Sequence, residues 1–175
     1  KRLGEYSKGM QQKLALARAL LHDPLVLLLD EPTSAMDPQS ARLVREAILA
    51  LQRAERTIAI TTHNLTEAQM LADRIAVIRR GRIIAEGTFD SLARRFVGPP
   101  LMELRTANPL NGLATDLAGM VEVVDQGDCW LRFHTPNPAV DNPALLRRLM
   151  GLGVEVVTLS EVSRTLEDVY LQIVR

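Results

Sequence analysis

The segment Leu27-Leu28-Leu29-Asp30-Glu31-Pro32 limits what this chain can fold into more than any other. The run Leu25 to Leu29 is continuously apolar, without polar alternation, which suits a central strand covered on both faces of a layered sheet. An acidic pair at the exit of such a strand puts two carboxylates at the carboxyl edge of the sheet, where open α/β folds bind ligands. The pair can divide labour, Asp30 holding Mg²⁺ through water while Glu31 polarises the water that attacks a γ-phosphate. The plain alternative is an Asp-Glu-Pro that ends a strand in a solvated turn.

The flanking pattern alternates helices and strands. Ser7 is a plausible N-cap for a helix to Leu21, with Leu14, Ala17 and Leu21 on one face, stopped by Pro24. Asp37-Pro38 opens a second helix with the stripe Val44, Ala47, Ile48 and Leu51. Thr57 to Thr62 reads as the next strand. Asn64 with Glu67 resembles a capping box that starts a helix through Ala72. Ile75 to Arg79 and Arg82 to Glu86 flank Arg80-Gly81 as a hairpin, and Thr88 caps a helix to Phe96. This order implies a layered α/β domain over residues 1–98.

Gly98-Pro99-Pro100 continues neither helix nor strand and marks a boundary. Beyond it, the expected elements are strand Leu101 to Arg105, helix Pro109 to Met120 and strands Val121 to Asp125 and Trp130 to His134. Helix Pro143 to Leu152 and strand Val154 to Leu159 follow. This βαββαβ order fits a small ferredoxin-like α+β domain over residues 99–175, closed by a helix from Thr165 to Val174.

Two further segments carry chemistry. Tyr6-Ser7-Lys8-Gly9-Met10 opens a helix with a hydroxyl, free backbone N–H groups, the positive end of a dipole and a lysine, a set suited to a phosphate. The alternative is an ordinary N-cap. His63, at the exit of the second strand, can donate to a phosphate oxygen and orient attacking water. It can equally be an ordinary surface histidine.

Composition narrows the choice of partner. Lys+Arg and Asp+Glu both number 21 in 175 residues, so no overall charge draws the chain to nucleic acid or an acidic membrane surface. No apolar run approaches the roughly 18 to 20 residues that span a bilayer. The expected location is therefore cytoplasmic, with any membrane association supplied by a partner. The single cysteine, Cys129, excludes an intramolecular disulfide and a multi-cysteine metal site.

Taken together, Ser7-Lys8-Gly9-Met10, Asp30-Glu31-Pro32, Ser34-Ala35-Met36-Asp37 and Thr62-His63, in this order and at these gaps, resemble the signature, Walker B, D-loop and H-loop of ABC ATPases. The resemblance runs from Lys1 to about Leu92 and includes Ala72-Asp73-Arg74-Ile75 and Arg79-Arg80-Gly81-Arg82-Ile83. The tail Leu166-Glu167-Asp168-Val169-Tyr170-Leu171 is similar to the ending of exporter ATPases of the daunorubicin or multidrug resistance type, in which an accessory domain follows the ATPase domain.

The resemblance implies two ATPase domains facing head to tail, as in a homodimer, with each ATP between one P-loop and the other's signature helix. Ser7, Lys8 and Gly9 would then lie against a partner's ATP and Asp30 would support Mg²⁺. Glu31 would be the base, His63 the γ-phosphate sensor and Asp37 a residue acting across the interface. Transport would need a transmembrane permease, which would hold the subunit on the inner face of the cell membrane.

The sequence departs from that pattern in two places. Lys8 and Met10 stand where the commonest signature has a glycine and a glutamine, a variant that fits multidrug-type exporters but denies Ser7 a Ser-x-x-Gln capping box. A P-loop needs Gly-Lys followed by Ser or Thr, and the lysines here, Lys1, Lys8 and Lys13, all lack a preceding glycine. The expectation is an incomplete P-loop NTPase domain without its N-terminal half, inactive by itself, whose apolar Leu25 to Leu29 layer would expose an edge. Two other readings stay open, an ABC ATPase that moves no solute and a regulatory or dimerisation module without catalysis.

Overall fold

A computed structural model describes residues 6–52, 56–117 and 119–175, with only the backbone of Lys8. The chain divides into two compact units, Lys1–Ile75 and Ala76–Arg175.

In the first unit, the apolar run becomes strand β1 (Val26–Asp30), which pairs in parallel with β2 (Thr57–Thr61) so that Asp30 stands opposite Thr61. Helices α1 (Lys8–Leu20), α2 (Pro38–Gln52) and α3 (Leu65–Leu71) complete the unit. Its core gathers Leu27 and Leu29 from β1, Val44 and Ile48 from α2, and Leu71 from α3. Among the described residues β1 is covered on one face only, with Val26 59% and Leu28 77% exposed. The expectation of a strand covered on both faces is not met here, because the core residues of all three helices converge on Leu27 and Leu29.

The expected stripe of α1 also differs. Leu14 and Leu21 are exposed, while Leu16 and Leu20 pack on the core. The run Leu14-Ala15-Leu16-Ala17-Arg18-Ala19-Leu20-Leu21 carries two apolar stripes at helical spacing, and periodicity cannot choose between them. In α2, Ala41, Val44 and Ile48 are buried and Ala47 is exposed.

The hairpin of β3 (Ile75–Arg79) and β4 (Arg82–Gly87) turns through Arg80 and Gly81, both at positive φ. Helix α4 (Phe89–Phe96), capped by Thr88, packs on α7 (Leu166–Ile173), with Leu92, Ala93, Leu166 and Val169 buried. These contacts join segments on either side of Gly98-Pro99-Pro100, so the compact units divide ahead of that boundary. Thr165 and Asp168 form a complete capping box at the start of α7.

The remaining strands, β5 (Leu101–Thr106), β6 (Glu122–Gly127), β7 (Trp130–His134) and β8 (Val156–Glu161), form a sheet of order β6-β7-β5-β8. Every neighbouring pair is antiparallel. Met102, Leu104, Leu131 and Phe133 of its inner face pack on Leu113 and Leu117 and on Leu145 and Leu149 of α6 (Pro138–Gly151).

Two helix boundaries depart from expectation. Helix α5 is Leu113–Asp116 rather than Pro109 to Met120, because Asn111, Gly112 and Gly119 all take positive φ, outside the helical region. Helix α6 starts at Pro138, which fits the first helical position, so Pro143 lies inside it rather than opening it.

Gly127 faces the ring of Trp130, where an added Cβ would stand 2.2 Å from Nε1. The Arg132 guanidinium lies over the same ring, 5.1 Å from its centroid, and restricts where the indole can go. Gly127→Ala is expected to destabilise the second unit by about 1–3 kcal/mol, the usual cost of overpacking. Urea unfolding checks this, and emission from Trp130, the chain's single tryptophan, reports the displaced ring.

Candidate functional site

Parallel pairing brings the ends of β1 and β2 side by side, and the residues that follow them meet there. Glu31 N–H donates to the Thr61 carbonyl at 2.8 Å, extending the ladder one residue past Asp30. The Glu31 Oε1 atom then accepts from the His63 backbone N–H at 2.9 Å and lies 2.6 Å from His63 Nδ1. The His63 side chain is 81% exposed and that of Glu31 32%, so the pair faces outward at the rim of the sheet.

Asp30 is exposed beside them, one carboxylate oxygen accepting from the Thr61 hydroxyl. Among the described residues no group of three or more His, Cys, Asp or Glu side chains gathers as a metal site. A single carboxylate suits Mg²⁺, which keeps several waters and is commonly bound through one or two carboxylates plus substrate phosphates. Asp30 would hold such an ion, which supplies charge neutralisation to phosphate oxygens.

The turn after Glu31 is unusual. Glu31 and Ala35 take φ of 46° and 58°, the left-handed region, which costs a non-glycine residue about 1–2 kcal/mol. Several contacts offset that cost. Ser34 N–H donates to the Glu31 carbonyl at 3.1 Å, Met36 N–H donates to the Thr33 carbonyl at 3.3 Å, and the Gln12 side chain of α1 also donates to the Glu31 carbonyl.

Ser7 caps α1, its hydroxyl accepting from Met10 N–H at 3.3 Å, and it is exposed. A Cβ added to Gly9 would lie 3.5 Å from Met36 Cγ, so the start of α1 runs along the turn that leads to Asp37. The side chain of Lys8 lies outside the described residues. Asp37 caps α2, accepting from Ser40 N–H at 2.9 Å, and Lys13 donates to the Ser40 hydroxyl at 2.8 Å. The Ser40 hydroxyl and N–H, aided by the Lys13 charge, hold the Asp37 carboxyl below the usual carboxylate range.

The structure thus joins Glu31, His63 and Asp30 at one rim, and places Ser7, Gly9 and Asp37 along α1 and the turn beside it. It also reveals contacts of two residues that local sequence pattern does not announce. Gln12 reaches the Glu31 carbonyl, and Glu67 bonds to both neighbouring loops. Gln12 gave no separable signal among the polar residues of α1. Glu67 was expected to complete a capping box with Asn64, and half of that motif is present: Asn64 Oδ1 accepts from Glu67 N–H at 3.0 Å. The Glu67 carboxylate turns inward instead, where Thr33 donates to Oε1 at 2.6 Å.

A family model described as "AAA domain, putative AbiEii toxin, Type IV TA system" matches residues 2–68. The chain is 36% identical over 172 residues to a Nod factor export ATP-binding protein I of Rhizobium sp. (strain N33), covering 98% of this chain and 54% of the relative. It is 37% identical over 174 residues to the protein of the same name from Rhizobium johnstonii, covering 98% and 53%. The chain spans about half the length of these curated relatives. Among solved structures, the ATP-binding subunit of an ABC transporter aligns with a TM-score of 0.52 at 28% identity, covering 66% of this chain and 45% of that one. The chain is therefore similar in sequence and fold to ATP-binding subunits of ABC transporters.

Proposed function

We propose that this chain is the C-terminal part of an ABC-type ATPase subunit of the multidrug or daunorubicin-resistance exporter kind. Residues 1–98 would form part of the ATPase domain, and residues 99–175 an accessory ferredoxin-like domain. The sheet order β6-β7-β5-β8, antiparallel throughout, supports the second assignment. The observation that carries the first is the contact of Glu31 with His63 at the joined ends of β1 and β2.

In this reading, Glu31 accepts a proton from the water that attacks the terminal phosphate of ATP. His63, held by its backbone against Glu31, presents its ring to that phosphate, and Asp30 supports Mg²⁺. Ser7 and Gly9 face the ATP of a second subunit, with Asp37 near the same interface. The P-loop that cradles ATP would come from a part of the ATPase domain outside this sequence. Strands from that part would also cover Val26 and Leu28, whose exposure supports the idea.

No helix among the described residues is long and apolar enough to cross a membrane. Coupling to transport would run through a separate transmembrane permease, as the resemblance to ABC ATPases implies, and the permease would place the subunit on the inner face of the membrane.

The chain by itself, assayed with MgATP, is expected to show no hydrolysis above background. The complete subunit should turn over at rates typical of enzymes, about 1–10³ s⁻¹. Turnover at such rates by the chain alone, or its absence from the complete subunit with its permease, would overturn the reading.

A further inference from the structure

We infer that Glu67 is a positioning residue for hydrolysis, its buried carboxylate fixing the turn after Glu31 against the segment that carries His63. This inference rests on the ATPase reading of the site. Past the Asp30–Thr61 pair the ladder continues only through the bond from Glu31 N–H to the Thr61 carbonyl, and His63 lies two residues beyond it, so the ladder alone does not set the distance between the two side chains. Thr33, two residues after Glu31, donates to Glu67 Oε1 at 2.6 Å, and Thr62, immediately before His63, donates to Oε2 at 3.1 Å. One carboxylate therefore bridges the two loops from which the reacting groups project.

The local arrangement shows why the sequence alone did not announce this. In a capping box, Glu67 would accept from the backbone N–H of Asn64. Here the Thr62 hydroxyl accepts from that N–H at 3.0 Å and passes its own proton toward Glu67. The cap is satisfied by relay, and Glu67 is released to reach Thr33.

Glu67 is only 2% exposed. A buried carboxylate is tolerable only when its oxygens are hydrogen-bonded, so both loops are held to one geometry rather than a range. A glutamate serving only to cap α3 could do so from solvent. Its burial between two loops that carry reacting groups is what points to positioning.

The test is steady-state kinetics on the complete ATPase subunit, below the melting temperature of each variant. Thr33→Val removes the donor to Oε1 and is expected to lower kcat about tenfold, with KM for MgATP changed less than about threefold, as for a misplaced reacting group. Thr33→Ser keeps the hydroxyl and should restore kcat. Glu67→Gln should resemble Thr33→Val; if it does not fold, the Thr33 pair decides. Unchanged kcat in Thr33→Val would overturn the proposal, as would an equal loss in Thr33→Ser or a rise in KM at constant kcat. Glu31→Gln in the same preparation separates the two levels. If it turns over normally, the ATPase reading and this inference both fall; if it is inactive while Thr33→Val is not, only the role of Glu67 falls.

Discussion

Replacing Glu31 by glutamine in the complete ATPase subunit should lower kcat by about 10²–10⁴-fold, the contribution of a well-placed general base. The substitution changes little else. A glutamine oxygen can still accept from the His63 backbone N–H that now bonds Glu31 Oε1, and the backbone bonds from Glu31 N–H to Thr61 and from Ser34 N–H to the Glu31 carbonyl do not involve the side chain. Binding of ATP, which the reading assigns chiefly to other groups, should change little. The expected signature is therefore a fall in kcat at nearly constant nucleotide affinity, measured by phosphate release and by equilibrium binding. A variant that keeps kcat within about twofold would remove Glu31 from the role of base.

Phe133→Ala should produce the largest loss of stability in the second unit. Phe133 is fully buried on β7, with Met102 and Val123 as its cross-strand neighbours on β5 and β6. It packs in one cluster with Leu104, Leu131, Leu145 and Leu149, so the sheet and α6 share the same core. Truncating a buried phenylalanine costs about 3–5 kcal/mol, because a cavity remains where the ring was. Against the 5–15 kcal/mol that typically holds a domain together, that is a large fraction. The urea midpoint of the second unit should fall accordingly at an unchanged slope, and a shift equivalent to under about 1 kcal/mol would contradict the assigned core.

Much of this was legible in the residues. The Asp30-Glu31 pair after an apolar run located the strand exit, and Asp37-Pro38 located the start of α2, because both signals are local and chemically distinctive. The positions of the last four strands along the chain followed from a pattern of short segments separated by turns.

What was not legible depends on contacts between segments distant in sequence. The face that α1 turns inward is decided by its packing on β1 and α2, and its own sequence offers two candidates. Helix α5 looked longer because leucine and alanine spacing masked the left-handed Asn111, Gly112 and Gly119. Glu67 read as a local cap, since nothing near it in sequence announces that Thr33 lies within reach. Gln12 was hidden in the same way, its partner being a backbone carbonyl 19 residues away.

In a shared site, Ser7 of one subunit must meet the ATP held beside Glu31 of another. Light scattering on the Glu31→Gln subunit, with and without MgATP, measures this directly. Blocked hydrolysis should let ATP-bridged dimers accumulate. Adding Ser7→Asp keeps a good N-cap for α1 but sets a negative charge against the phosphate, and should return the protein to monomers. Dimers that form equally well without ATP, or that survive Ser7→Asp unchanged, would contradict the shared site.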